Sequence, residues 1–141
     1  MSGSEDGDLS EADDGIQLTD EQEAALDLSR NIAVTAGAGT GKTTTLTERY
    51  LAMLEPGAIT PENIVTITFT KDAATEMRER IRAAVDQELT AADSQAAYDN
   101  WREIRDELEN GYIHTIHAFC SRLLTEHAVE APVDPNFTTL D

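Results

Sequence analysis

The chain has 141 residues, 40% of them hydrophobic and 27% charged, with 28 acidic against 10 basic residues and a formal net charge of −18. That length suits one domain with its own core, and the charge excludes a surface that binds nucleic acid indiscriminately, so any such contact has to be local. A lone cysteine, Cys120, excludes an internal disulfide and a cysteine metal cluster, and no apolar run approaches the roughly 18 residues of a membrane helix.

Residues 1–17 hold Glu5, Asp6, Asp8, Glu11, Asp13 and Asp14 without one basic residue. This is the composition of a disordered acidic tail and the opposite of a signal peptide, so a cytoplasmic protein is expected. Lys42 and Lys71 are the two lysines among the ten basic residues. A surface so rich in acid and poor in lysine suits concentrated salt, which points to a halophile.

Structure is predicted to start at Leu18-Thr19-Asp20-Glu21-Gln22, where Thr19 and Gln22 have capping-box spacing and open a short helix through Ala25, Leu26 and Ser29. The β-branched run Asn31-Ile32-Ala33-Val34-Thr35 reads as a buried strand, and residues 42–54 as a helix with Leu46, Tyr50, Leu51 and Leu54 inward. Between them lies Ala36-Gly37-Ala38-Gly39-Thr40-Gly41-Lys42-Thr43. Backbone N–H groups can wrap triphosphate oxygens only where side chains stay clear, which Gly37, Gly39 and Gly41 ensure. Lys42 neutralises the outer phosphates, and the Thr43 hydroxyl, at the helix start, suits a magnesium ion. The pattern is a P-loop with Ala36 in place of its first glycine; a Gly-rich turn before a helix is the plainer alternative. ATP and Mg2+ are the implied ligands. Residues Ala36, Gly37, Ala38, Gly39, Thr40, Gly41, Lys42, Thr43 and Thr44 form the cofactor-binding stretch, with Lys42 and Thr43 catalytic and Thr43 at the metal.

Glu55-Pro56-Gly57 stops that helix and Pro61 restarts the chain. Ile64-Val65-Thr66-Ile67-Thr68-Phe69 is predicted as a second strand, apolar enough to be central in a parallel sheet, so an α/β layer fold follows. Thr70 caps a third helix with Ala73, Ala74, Met77, Ile81 and Val85 on its apolar face. Arg78, Arg80 and Arg82 are expected to pair there with Glu76, Glu79 and Asp86. Residues 89–110 read as one packing helix through Ala97, Tyr98, Trp101, Ile104 and Leu108, ended by Gly111. Tyr112-Ile113-His114-Thr115 reads as a short third strand, after which Thr115 caps a last helix with Ile116, Phe119, Cys120, Leu123 and Leu124 inward. Pro132 and Pro135 exclude helix beyond Ala131. His114 and His117 form the closest histidine pair, without a third metal ligand nearby.

Four of these segments resemble the motifs of one family. Leu18-Thr19-Asp20-Glu21-Gln22 is similar to the Q motif of UvrD/Rep-type superfamily 1 helicases, and residues 36–43 resemble their motif I, with its Ala in first place. The stretch from Thr66-Ile67-Thr68-Phe69-Thr70-Lys71 to Ile81 resembles their motif Ia. Thr115-Ile116-His117-Ala118-Phe119-Cys120 is similar to the next DNA-contacting motif in its AddA and RecB-like form. The likeness covers residues 18–141 and implies a RecA-like P-loop NTPase fold, a parallel sheet flanked by helices, here as an incomplete motor domain 1A. It also implies an ATP-dependent 3′-to-5′ DNA helicase of repair or recombination. Gln22 would then read adenine, and Thr68, Phe69, Thr115 and His117 would hold single-stranded DNA. The remaining helicase domains or a nuclease subunit would be partners, and no membrane would. Thr44 stands where UvrD and Rep commonly carry Arg, which favours the AddA/RecB-like branch.

Hydrolysis needs an acid on a strand end for magnesium and an arginine against the γ-phosphate. No apolar run in this chain ends in Asp-Glu, so the expectation is a fragment or split-gene product that binds ATP without turnover. A small P-loop kinase shares the loop but leaves Thr68-Phe69-Thr70-Lys71 without a role; a truncated nucleotide-binding module accommodates the missing acid. Phe69 has its own alternative, as the last core residue of a strand.

Overall fold

Hydroxyl groups set most of the helix starts. In the computed structural model, which describes residues 18–35, 37, 41–55, 59–134 and 136–138, Thr19, Thr70, Ser94 and Thr115 each accept a backbone N–H from three residues on, at 3.3, 3.1, 3.2 and 3.3 Å. The elements in chain order are α1 (Asp20–Ala24), α2 (Lys42–Leu54), β1 (Val65–Thr68), α3 (Lys71–Ala91), α4 (Gln95–Glu107), β2 (Tyr112–Thr115) and α5 (Ile116–Glu126), with 3-10 turns at Pro61–Asn63 and Leu108–Asn110. The predicted tail over residues 1–17 lies outside the described residues, as do Pro56, Gly57 and Pro135.

β1 and β2 pair in parallel, Val65 opposite Tyr112 and Thr68 opposite Thr115, and α3 with α4 forms the crossover between them. The α3 helix touches α2, α4 and both strands, because Met77, Ile81 and Val85 recur on one of its faces. They meet Tyr50, Leu51 and Leu54 of α2, Trp101 and Ile104 of α4, and Ile64, Leu108 and Ile113 in one core. The Tyr50 hydroxyl sits there without a hydrogen-bond partner among the described residues, and burial pushes its pKa up to about 12. That ring is held for its apolar area. No described helix is long and apolar enough to cross a membrane.

Several expectations are corrected. Residues 31–35 form no strand: Val34 is 53% exposed, and the sheet of the described residues has two strands. A strand is held by ladder bonds to a neighbour, and residues 31–35 pair with neither strand of that sheet. With β2 its one strand partner among the described residues, β1 is not enclosed, and Val65 and Ile67 are 50% and 46% exposed. Leu46 points outward because Thr45 and Thr47 take the buried positions beside it, their hydroxyls donating to the Gly41 and Thr43 carbonyls at 3.1 and 2.9 Å. Ala73 also faces solvent.

The helix expected over residues 89–110 is two, since α3 runs to Ala91, the backbone turns at Ala92, and Ser94 caps α4. Arg80 pairs with Glu76 as expected. Arg82 instead reaches Glu109, Asp86 takes Arg105, and Arg78 donates to the Ile113 carbonyl, because neighbouring elements offer partners that spacing along one helix does not show. In α5, Phe119 and Leu123 are half-buried while Ile116, Cys120 and Leu124 are exposed, as that helix packs on the strands along one side.

Candidate functional site

Gly41 closes the small-residue loop in the left-handed region, at φ +80°, where L side chains are strained. A Cβ there would also stand 2.7 Å from Nε2 of Gln22, so glycine is what lets α1 lie against the loop. The α2 helix then begins at Lys42 with no acid in its first turn and no side chain on Gly41 to cap it. The first amide groups of a 13-residue helix therefore suit an anion. Lys42 and Gly37 are exposed and Thr43 and Thr44 half-buried; Ala36, Ala38, Gly39 and Thr40 lie outside the described residues.

Thr19, Gln22, Val34, Thr35 and Lys42 line a cleft of about 160 Å³, which shares Val34 and Lys42 with a second of about 250 Å³ that extends to Ile32, Leu46 and Arg49. A glycine at positive φ, a helix start that the N-cap Gly41 does not cap with a side chain, a lysine and an adjoining cleft edged by Gln22 and Glu21 are compatible with a nucleoside triphosphate. Sequence reasoning did not single out Arg49, whose guanidinium donates to the Ala25 and Asp27 carbonyls at 2.5 and 2.9 Å and ties α2 to the turn after α1. Its place seven residues after Lys42, on the same helix face, was the available signal.

The second cluster lies at the strand ends. Register sets Thr68 beside Thr115; β2 passes directly into α5, and β1 reaches α3 through Phe69 and Thr70. The Thr68 hydroxyl donates to the Thr70 carbonyl at 3.1 Å, while Thr70 caps α3. Phe69, between them, is 101% exposed, so it is no core residue. Thr115 is buried and its oxygen accepts the Ala118 N–H; His117, second residue of α5, is exposed. Thr68, Phe69, Thr115 and His117 thus gather at the C-terminal edge of the sheet, where parallel sheets expose their ligand crevices.

Arg122 ties α5 to the N-terminal end of β2 and was not anticipated as a group. Its guanidinium stacks 4.0 Å from the Tyr112 ring centroid, bonds Glu126 at 2.7 Å, and donates to the Gly111 and Asn110 carbonyls at 3.2 and 2.9 Å. The Tyr112 hydroxyl donates to the same carboxylate at 2.7 Å. Together these contacts fix α5, and with it His117, to β2. The i,i+4 spacing of Arg122 and Glu126 was the trace of it in the sequence. His114 places Nε2 3.3 Å from Arg122. Burial first, then the charges of Arg122 and Arg78, hold its pKa below the ordinary 6.5. Among the described residues no group of three His, Cys, Asp or Glu could hold a metal ion.

The sequence profile described as the UvrD/REP helicase N-terminal domain matches residues 18–141. The chain is 35% identical over 127 residues to the A-subunit of the ATP-dependent helicase/nuclease of Ligilactobacillus salivarius, a match that covers 89% of this chain and 10% of that protein. It is 41% identical over 125 residues to the protein of the same name from Lactobacillus helveticus, covering 88% and 10%, and 39% identical over 124 residues to that of Syntrophomonas wolfei, covering 87% and 10%. The chain therefore spans about a tenth of the length of these relatives.

Proposed function

The chain belongs to the UvrD/REP helicase N-terminal domain family, and we propose that it forms the ATP- and single-strand-binding part of an ATP-dependent 3′-to-5′ DNA helicase of the AddA-like helicase–nuclease kind, acting in repair or recombination. Its α/β layers are then part of a RecA-like P-loop motor domain. Lys42 and the amides at the start of α2 hold the phosphates, Thr43 offers its hydroxyl to Mg2+, and the Gln22 amide meets the adenine edge. Bound ATP supplies the free energy of translocation; these residues supply its grip and orientation. Single-stranded DNA crosses the sheet edge, one base stacking on Phe69 and its backbone meeting Thr68, Thr115 and His117.

The observation that carries this function is the parallel register, which puts Thr68 beside Thr115 with the Phe69 ring wholly in solvent between the strand end and α3. Stacking on an aromatic is worth roughly 1–3 kcal/mol per base. Titration of a fluorescein-labelled oligothymidine should therefore show Phe69→Ala weakening binding by about one to two decades with the melting temperature little changed. Ile81, at 1% exposure, provides the contrast, since Ile81→Ala should cost roughly 2–5 kcal/mol of stability. Unchanged DNA affinity in Phe69→Ala would overturn the single-strand assignment.

A further inference from the structure

We infer that the Thr19–Gln22 capping box locks the Gln22 amide in the one orientation that matches adenine and mismatches guanine, which makes Thr19 a positioning residue for base selection. The inference rests on the nucleotide site proposed above. The Thr19 N–H donates to Oε1 of Gln22 at 2.9 Å, and the Gln22 N–H donates to the Thr19 hydroxyl oxygen at 3.3 Å. A backbone N–H can only donate, so the amide oxygen must face Thr19 and the amide nitrogen must take the opposite side. That side is the phosphate loop: Nε2 lies where a Gly41 Cβ would meet it at 2.7 Å. Separately, Thr19, Gln22 and Lys42 line one cleft of about 160 Å³, so the oriented amide and the phosphate-side lysine look into the same space.

A glutamine amide reads adenine by paired contacts, its oxygen accepting from N6–H and its nitrogen donating to N7. The oxygen keeps a second lone pair after its bond to Thr19, so the lock and the base contact are compatible. Guanine presents O6 and N7 at that edge, two acceptors. An amide free to turn can swing its nitrogen toward O6; a pinned one opposes O6 with its own oxygen. Because the box is already closed in the free chain, no side-chain freedom is lost in aiming the amide when a nucleotide arrives.

Titration calorimetry on the 141-residue chain with ATP, GTP and tripolyphosphate tests this. A bidentate contact predicts a wild-type preference for ATP over GTP of about tenfold. Thr19→Pro, which removes the pinning N–H at a backbone φ of −75° that proline can adopt, should bring the two nucleotides within about threefold of each other while tripolyphosphate affinity stays within about twofold of wild type; Thr19→Ala, which keeps that N–H and loses only the hydroxyl, should keep the preference. Gln22→Glu keeps a box acceptor, as Glu is the usual residue there, but loses the donor. It should lose the ATP preference with its helical circular dichroism intact. The inference fails if Thr19→Pro weakens tripolyphosphate as much as ATP, which assigns the box to fold alone, or if Thr19→Pro keeps the full ATP preference. Wild-type protein that binds tripolyphosphate and shows no ATP preference overturns the adenine role of Gln22 only. Wild-type protein that binds none of the three overturns the nucleotide site itself.

Discussion

Lys42 tests the nucleotide site at the scale of one side chain. The composition replaces lysine almost everywhere, yet one of the two that remain stands at the start of α2, directly after Gly41. Lys42→Ala removes a charge-assisted contact worth roughly 1.5–3 kcal/mol, and so about one to two decades of affinity for a fluorescent ATP analogue. Equal affinity in the two proteins would show that the phosphates lie elsewhere. At this scale the sequence was readable wherever a residue's role is local. Thr19, Thr70 and Thr115 cap the helices expected of them because a capping hydroxyl reaches only its own first turn. It was unreadable where the role depends on what lies across a surface. Phe69 ends a β-prone run and could have been core; nothing in the run says that no element covers it. Leu46 sits at an inward helical spacing, but Thr45 and Thr47 can bury themselves by returning their hydroxyls to the helix carbonyls.

Between elements, the seam of α2 and α3 combines an apolar core with an electrostatic fault. Tyr50, Leu51 and Leu54 pack against Ile81 and Val85, and the same seam brings Glu48 close to Glu88. Burial first, and the Glu88 charge second, raise the Glu48 pKa above the usual 4.5. A carboxyl whose folded pKa is raised stabilises the fold while protonated, below the unfolded value, and that contribution is lost as pH rises through the folded value. At neutral pH the ionised Glu48 is therefore a liability. Glu48→Gln should raise the melting temperature at pH 7, with the gain shrinking as pH falls toward 4.5; a variant equal to wild type at pH 7 would show that the seam is already relaxed. Helix α2 and most of the apolar faces of α3 and α4 were legible from 3.6-residue periodicity, though Ala73 and Tyr98, expected on those faces, are exposed. The break between α3 and α4 was not, because Leu89-Thr90-Ala91-Ala92-Asp93 continues a helical composition and only the cap at Ser94 betrays a restart. Residues 31–35 carry the right residues for a strand, but a strand also needs a neighbour, and pairing partners are not written in the segment itself.

For the molecule as a whole, charge decides the conditions under which the fold is firm. A net charge of −18 on 141 residues means that compaction brings like charges together, and ion pairs, most of them exposed among the described residues, oppose this. They include Arg30–Asp27, Arg80–Glu76, Arg82–Glu109, Arg105–Asp86 and Arg122–Glu126. Exposed pairs contribute about 0–1 kcal/mol each, so screening them costs little. Screening the surplus repulsion gains more, because it acts among all the unpaired acids at once. At the candidate DNA edge neither Thr68-Phe69-Thr70-Lys71 nor Thr115-Ile116-His117-Ala118 contains an acid, and the nearest in sequence is Asp72, next to Lys71 in the first turn of α3. The Debye length falls from about 10 Å at 0.1 M salt to about 3 Å at 1 M, below the usual spacing of surface charges. The melting temperature should therefore rise with KCl, most steeply at the low end of that range, and the Glu48→Gln advantage should shrink along the same titration because salt screens its partner Glu88 as well. Thermal unfolding followed by circular dichroism across that range is the measurement. A flat or falling curve would mean that the local ion pairs outweigh the surplus, and would remove the case for a surface adapted to concentrated salt.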